Sequence, residues 1–130
     1  MSRVRTGGRS EARAHLAKAQ EFLDAARAAV DANWYNAAAS SVVLAGINAK
    51  DALCFALAGR TVAADDHRAA VNELRALGAP GREAATALDR LLGLKDRAQY
   101  DQRGVTATDA QAAVRRAGTM VEAAERILAQ

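Results

Sequence analysis

Between Trp34 and Ala58 the chain carries its longest apolar run, interrupted after Tyr35 and Asn36 only by Ser40, Ser41, Gly46 and the polar group Asn48, Lys50 and Asp51. No proline breaks the run, and Gly59 follows where a helix C-cap is expected. At about 1.5 Å per residue this predicts a helix of about 35 Å. A helix that is apolar nearly all round belongs at the centre of a bundle. Its length also suits a membrane span, but Asn48, Lys50 and Asp51 inside it argue against contact with lipid. At about 100° per residue, Ser41, Leu44, Asn48, Asp51 and Phe55 share one stripe, while Ala38, Ala45, Ala49, Ala52 and Ala56 share another. The central helix is therefore expected to have a polar seam and a close-packing face.

The flanking segments repeat apolar residues at alternating spacings of four and three, the mark of a bundle seam. Ala12, Leu16, Ala19, Leu23, Ala26 and Val30 predict a first helix, with Ser10 as its N-cap. Asp31 to Asn33 is a short turn, which makes the first and central helices antiparallel neighbours. After a loop from Arg60 to Ala64, Asp65 and Asp66 can cap a short helix bearing Ala70, Val71, Leu74 and Leu77. Gly78-Ala79-Pro80-Gly81 is the clearest break, and a fourth helix is expected from Arg82 to about Tyr100 with Ala84, Leu88, Leu91, Leu92 and Ala98 facing the core. Thr106 and Asp109 offer a capping box for a last helix carrying Ala110, Val114, Ala117, Val121, Ala124 and Leu128. No strand is expected. The fold class is all-α: an antiparallel four-helix up-down bundle with one additional short helix, formed by a single domain over residues 10–130 after a flexible basic arm over residues 1–9.

Composition sharpens this reading. Alanine makes up roughly a quarter of the 130 residues, which favours helix over sheet. The formal charge of +3 equals the charge of Arg3, Arg5 and Arg9, so the remaining body is neutral and gives little support for an extended nucleic-acid surface. The single cysteine, Cys54, falls in the most apolar helix and is expected to be an inert core thiol. With no disulfide framework and no apolar leader, the expected location is the cytoplasm, with no membrane contact. Neither histidine has metal-ligand spacing and no Gly-rich phosphate loop is present, so no metal or cofactor is expected.

Three places could carry chemistry. Arg97, Tyr100 and Asp101 share one face at the end of the fourth helix, where an Arg97–Asp101 ion pair is the simplest arrangement. Arg90, Leu94, Arg97 and Asp101 form a stripe apart from the leucine-rich core face, which suggests contact with another chain. Asp51 needs a partner inside an apolar helix: an arginine or tyrosine of the fourth helix or, if it sits at the bundle edge, a nearby Lys or Arg. His67, directly after Asp65 and Asp66, reads as part of a local N-terminal cap, or as a ligand or base; His15 reads as solvated.

The chain also resembles the HEPN superfamily of small helical-bundle domains. Tyr35-Asn36-Ala37-Ala38 opening a long Ala-rich helix, Asp66-His67-Arg68-Ala69 opening the next, Leu91 to Asp101 as an Arg-x-x-Ala-Asp-Tyr type of signature, and Val105 to Ala110 before an Ala-rich last helix follow the family's order. The resemblance implies a homodimer with its functional cleft near the fourth-helix arginine. Some members are metal-independent ribonucleases that use Arg, four to six residues, then His; after Arg97 the corresponding positions hold Gln102, Arg103 and Gly104, and Ala98 replaces the polar residue that often follows the arginine. Other members partner small nucleotidyltransferases, often in toxin–antitoxin pairs. The expectation is a non-catalytic homodimeric module that binds a nucleotide, RNA or a nucleotidyltransferase-like protein. Asn48, Asp51, Arg97, Tyr100, Asp101 and His67 are its candidate ligand-binding residues, with Arg97 on a phosphate and Tyr100 stacking on a base. The competing expectations are a degenerate ribonuclease using Arg97, with His67 as a distant base, and a helical dimerisation scaffold without ligand.

Overall fold

The structure is a computed structural model that describes residues 3–63 and 66–130. Among these residues the chain forms β1 (Arg3–Thr6), α1 (Arg9–Asp31), α2 (Tyr35–Ala58), β2 (Arg60–Ala63), α3 (His67–Arg75), α4 (Ala79–Tyr100) and α5 (Ala107–Ala129). Met1, Ser2, Ala64 and Asp65 lie outside the described residues, and with them any capping role of Asp65.

As its pattern requires, α2 is the central helix and packs against α1, α4 and α5. Ala38, Ala45, Ala49 and Ala52 are fully buried, so the small-residue stripe is where neighbouring helices come close. It is the one helix long and apolar enough to cross a membrane among the described residues, and most of it is covered by the bundle. The seams of the other helices follow the same logic. Ala12, Ala19, Leu23 and Ala26 of α1, Leu88, Leu91 and Leu92 of α4, and Ala117, Val121 and Ala124 of α5 are buried. The tight α1–α2 connection is closed by Asn33 at φ 64°, a left-handed conformation that asparagine tolerates. Gly59 caps α2 in the left-handed region, Asp66 caps α3 by accepting from Ala69 N–H at 2.7 Å, and Thr106 caps α5 by accepting from Asp109 N–H at 3.1 Å.

Three expectations need correction. First, the chain contains a sheet. β1 pairs antiparallel with β2, from Arg3 opposite Ala63 to Thr6 opposite Arg60, so the basic arm is paired over residues 3–6. All four β1 residues are exposed, and they show no apolar alternation that could have announced a strand. The pairing arises in three dimensions, where Gly7 N–H donates to Gly59 O at 3.0 Å and brings the two segments side by side. Second, α1 begins at Arg9 with Gly8 as N-cap rather than at Ser10, because Glu11 reaches back to accept the Gly8 N–H at 2.8 Å. Third, α4 begins within the glycine–proline break, with Pro80 in its first turn, where a missing N–H costs nothing.

Gly81 has a specific packing role in that turn. A Cβ there would meet the Leu74 carbonyl oxygen at 1.9 Å and its carbon at 2.9 Å, both backbone atoms of α3. Gly81→Ala is therefore expected to lower the unfolding free energy by about 3 kcal/mol through forced separation of α3 and α4. Urea denaturation followed by circular dichroism measures this, and a change within experimental error would show that the α3–α4 corner yields freely.

Candidate functional site

The most constrained polar group in the molecule lies where α2 meets the sheet. Lys50, Asp51 and Thr61 are buried polar residues inside an otherwise apolar core. Lys50 Nζ donates to Thr61 Oγ1 at 2.8 Å and to the Val62 carbonyl at 2.7 Å, lies 3.3 Å from Asp51 Oδ1, and forms an ion pair with Glu73 of α3. Thr61 in turn donates its hydroxyl proton to Asp51 Oδ1 at 2.7 Å. The other carboxylate oxygen of Asp51 faces Arg5 Nη2 at 3.6 Å and His15 Nδ1 at 3.9 Å. Two cations, Lys50 and Arg5, thus face two anions, Asp51 and Glu73. Every buried side-chain nitrogen or oxygen of the described residues has a partner, as burial in a low-dielectric interior demands.

An outer layer surrounds this group. His15 Nδ1 lies 2.9 Å from Asn48 Oδ1, and Asn48 donates its amide to the Leu44 carbonyl at 2.9 Å. The His15 ring stacks on Phe55 with centroids 5.5 Å apart, and the Arg5 guanidinium sits 5.7 Å from the same ring. Cys54 is fully buried with Sγ 3.4 Å from Glu73 Oε1. Burial, reinforced by the Glu73 charge, pushes its thiol up to about 12, so it stays protonated and inert at neutral pH.

The six residues singled out in the sequence fall into two places. Asn48 and Asp51 belong to the cluster just described, and Asp51 and His67 both line a pocket of about 290 Å³ between α2, the sheet, α3 and α4. Asp51 is paired, and of the two expected arrangements it takes the one with nearby cations: its partners are Arg5, His15, Thr61 and Lys50 rather than an arginine or tyrosine of α4. The reason is geometric: the sheet, absent from the sequence reading, occupies the space beside Asp51. Arg97, Tyr100 and Asp101 lie elsewhere. Arg97 lines a groove of about 320 Å³ between α4 and α5 with Arg90, Gly93, Leu94, Asp109 and Arg116. It pairs with Asp109 at the start of α5, not with Asp101. Asp101 instead accepts the Arg103 N–H at 2.9 Å and sits 3.6 Å from Arg103 Nε; the N–H bond above all holds its carboxyl below the usual carboxylate range. Tyr100 is 80 % exposed at the end of α4. Leu94 packs against the core clusters, so the expected Arg90–Leu94–Arg97–Asp101 stripe is not a free apolar face.

Sequence reasoning missed Arg5, His15, Thr61 and Glu73. His15 is held by Asn48 and Phe55 rather than solvated. The one available signal was Lys50 beside Asp51 in an apolar helix, which required partners from somewhere. The arginine–histidine spacing sought after Arg97 does occur at Arg9–His15 and at Arg60–His67. Arg9, however, donates to the Leu128 and Gln130 carbonyls at 2.9 and 3.0 Å, which ties α1 to the end of α5.

Removing one member of the buried group leaves a charge without compensation. Lys50→Met is expected to destabilise the protein by about 3–5 kcal/mol, and adding Asp51→Asn and Glu73→Gln to it should recover much of that loss. Chemical denaturation of the two variants checks this; equal losses would mean that the cations and anions are not energetically coupled.

No curated protein matches the chain. The family comparison does return a match: the HEPN domain, over residues 12–127. That match runs from the first buried turn of α1 almost to the end of α5 and takes in the α4–α5 groove and all of the charge cluster except Arg5 of β1. The bundle of α1 to α5, with its long Ala-rich second helix, is accordingly a HEPN fold, and the chain belongs to the HEPN domain family.

Proposed function

We propose that the protein is a non-catalytic HEPN module that forms a homodimer and binds a phosphate-bearing ligand, a nucleotide or RNA, in the groove between α4 and α5. The observation that carries this reading is the charge of the groove. Arg90, Arg97 and Arg116 line it against a single carboxylate, Asp109, which is already paired with Arg97. Guanidinium groups gathered without matching acids favour an anion, and their planar donors suit phosphate oxygens. Tyr100, exposed one turn beyond Arg97, offers a ring on which a base can stack. A small nucleotidyltransferase-like protein, as in toxin–antitoxin pairs of this family, is the proposed protein partner.

The homodimer is proposed on α2. Leu44 and Ile47 are 42 % and 37 % exposed, one turn apart on a face of α2 that the bundle leaves open. The ribonuclease alternative has less support. Its arginine, Arg97, and its distant base, His67, line different pockets that share no residue.

Two measurements test the reading. Arg97→Ala combined with Arg116→Ala should weaken binding of a short single-stranded RNA at least about tenfold at low salt, with no metal-independent cleavage by the unaltered protein. Unchanged affinity would remove the groove, and cleavage lost on Arg97→Ala would restore the ribonuclease. Sedimentation should show a dimer that Leu44→Glu converts to monomer; a wild-type monomer would leave the scaffold and dimer readings without basis.

A further inference from the structure

The seam of Ser41, Leu44, Asn48, Asp51 and Phe55 along α2 is covered only at one end. Extended towards the start of the helix, the same alternation of three and four residues takes in Ala37 and Trp34. At the far end Asp51 and Phe55 are buried, because Arg5 and His15 lie on them. The near end is open: Trp34 is 68 % exposed, and Ala37 and Leu44 are exposed with it. The backbone holds Trp34 there, its N–H donating to the Ala29 carbonyl at 2.8 Å just after the left-handed Asn33. An indole kept in water on so tight a turn is a feature of interfaces, where tryptophan is enriched.

We infer that this seam is occupied by the antiparallel α2 of a second copy, with Trp34 of each protomer laid on the partner's Arg5; the inference rests on the α2 dimer proposed above. The register carries it. Leu44 lies ten residues after Trp34, and ten residues further on is Cys54. That is the level of the Arg5 guanidinium, which sits 3.6 Å from Asp51 and 5.7 Å from the centre of the Phe55 ring. A twofold axis beside Leu44 therefore brings each Trp34 to the level of the partner's Arg5 and sets Ser41 opposite the partner's Ile47. The three-four spacing keeps two such seams together along their length at a shallow crossing angle. Arg5 does not have to move. Its side chain is half exposed while Asp51 and Phe55 fix it, so its free face can take a second ring without leaving its carboxylate. From Trp34 to Ile47 the helix holds no charged residue, so a twofold brings no like charges together and phosphates would find no cation there.

Trp34 is the one tryptophan of the chain, so its fluorescence reads the contact directly. Sedimentation and acrylamide quenching of the full chain are followed together over a dilution series. The expected result is a dimer that shields Trp34, with dimer and shielding lost together on dilution and in Leu44→Glu. Trp34→Ala, at an exposed position, should weaken dimerisation at least about tenfold, and Trp34→Phe should recover most of that loss. Arg5→Gln should weaken it too, but not further in the Trp34→Ala background, because the two act as one pair. Under mild oxidation Leu44→Cys should link to its own copy, whereas Trp34→Cys, about 30 Å from its copy in this register, should not. The native Cys54 is fully buried and does not compete. A wild-type monomer, as expected of a face that takes a different protein, removes the α2 dimer and this inference with it. Three results overturn the inference alone and leave the α2 dimer standing: a dimer whose Trp34 is quenched as readily as in Leu44→Glu, additive losses from Trp34→Ala and Arg5→Gln, or Trp34→Cys linked to itself.

Discussion

A single ammonium group, that of Lys50, sets the arrangement around the centre of this protein. In an apolar helix a buried cation is tolerated only with good geometry on all sides. Thr61, the Val62 carbonyl, Asp51 and Glu73 supply that geometry from three different elements. As a result β2 is pinned to α2 and α3 is pinned to both, although the two strands bury little themselves. The pocket beside this cluster inherits its shape from the same contacts. Hydrophobic residues replacing Lys50, Asp51 and Glu73 together could give an equally stable bundle, but they would have no reason to hold β2 in this register.

The second consequence is a separation of roles along α4. Lys95, Leu88 and Leu92 line the pocket beside α2, whereas Arg90 and Arg97 line the groove toward α5, to which α5 adds Arg116. One helix thus borders a pocket of mixed charge on one flank and an arginine-lined groove on the other. The family membership of the chain covers both flanks and assigns neither.

The helices were legible in the sequence because each has a periodic apolar seam, and packing followed that seam nearly residue for residue. Caps at Gly59, Asp66 and Thr106 were legible for the same local reason, since a cap is a relation between residues three or four apart. The sheet was not. Its strands are four residues each, rich in arginine, and far apart in sequence, so no local pattern distinguishes them from loop. The candidate site suffered from that omission. Asp51 was identified as needing a partner, yet Arg5 and Thr61 became candidates only once the sheet placed them beside it. On α4 the periodicity gave the positions of Arg97 and Asp101 correctly, but the choice of partner fell to Asp109, brought near by the turn into α5. Leu94 shows the remaining limit: a helical wheel cannot tell how wide a face its neighbours cover.

The pairing of β1 with β2 also bears on the order in which the molecule assembles. Arg3 meets Ala63 only after the chain has passed through the whole of α1 and α2 and turned back at Gly59. Closing so long a loop carries an entropic cost before any contact rewards it, and β1 brings no apolar burial to offset that cost. The strand pair therefore forms late, on a helical hairpin that already exists, and opens early without carrying the bundle with it. Amide hydrogens of β1 should accordingly behave as a unit of low local stability attached to a core that exchanges far more slowly.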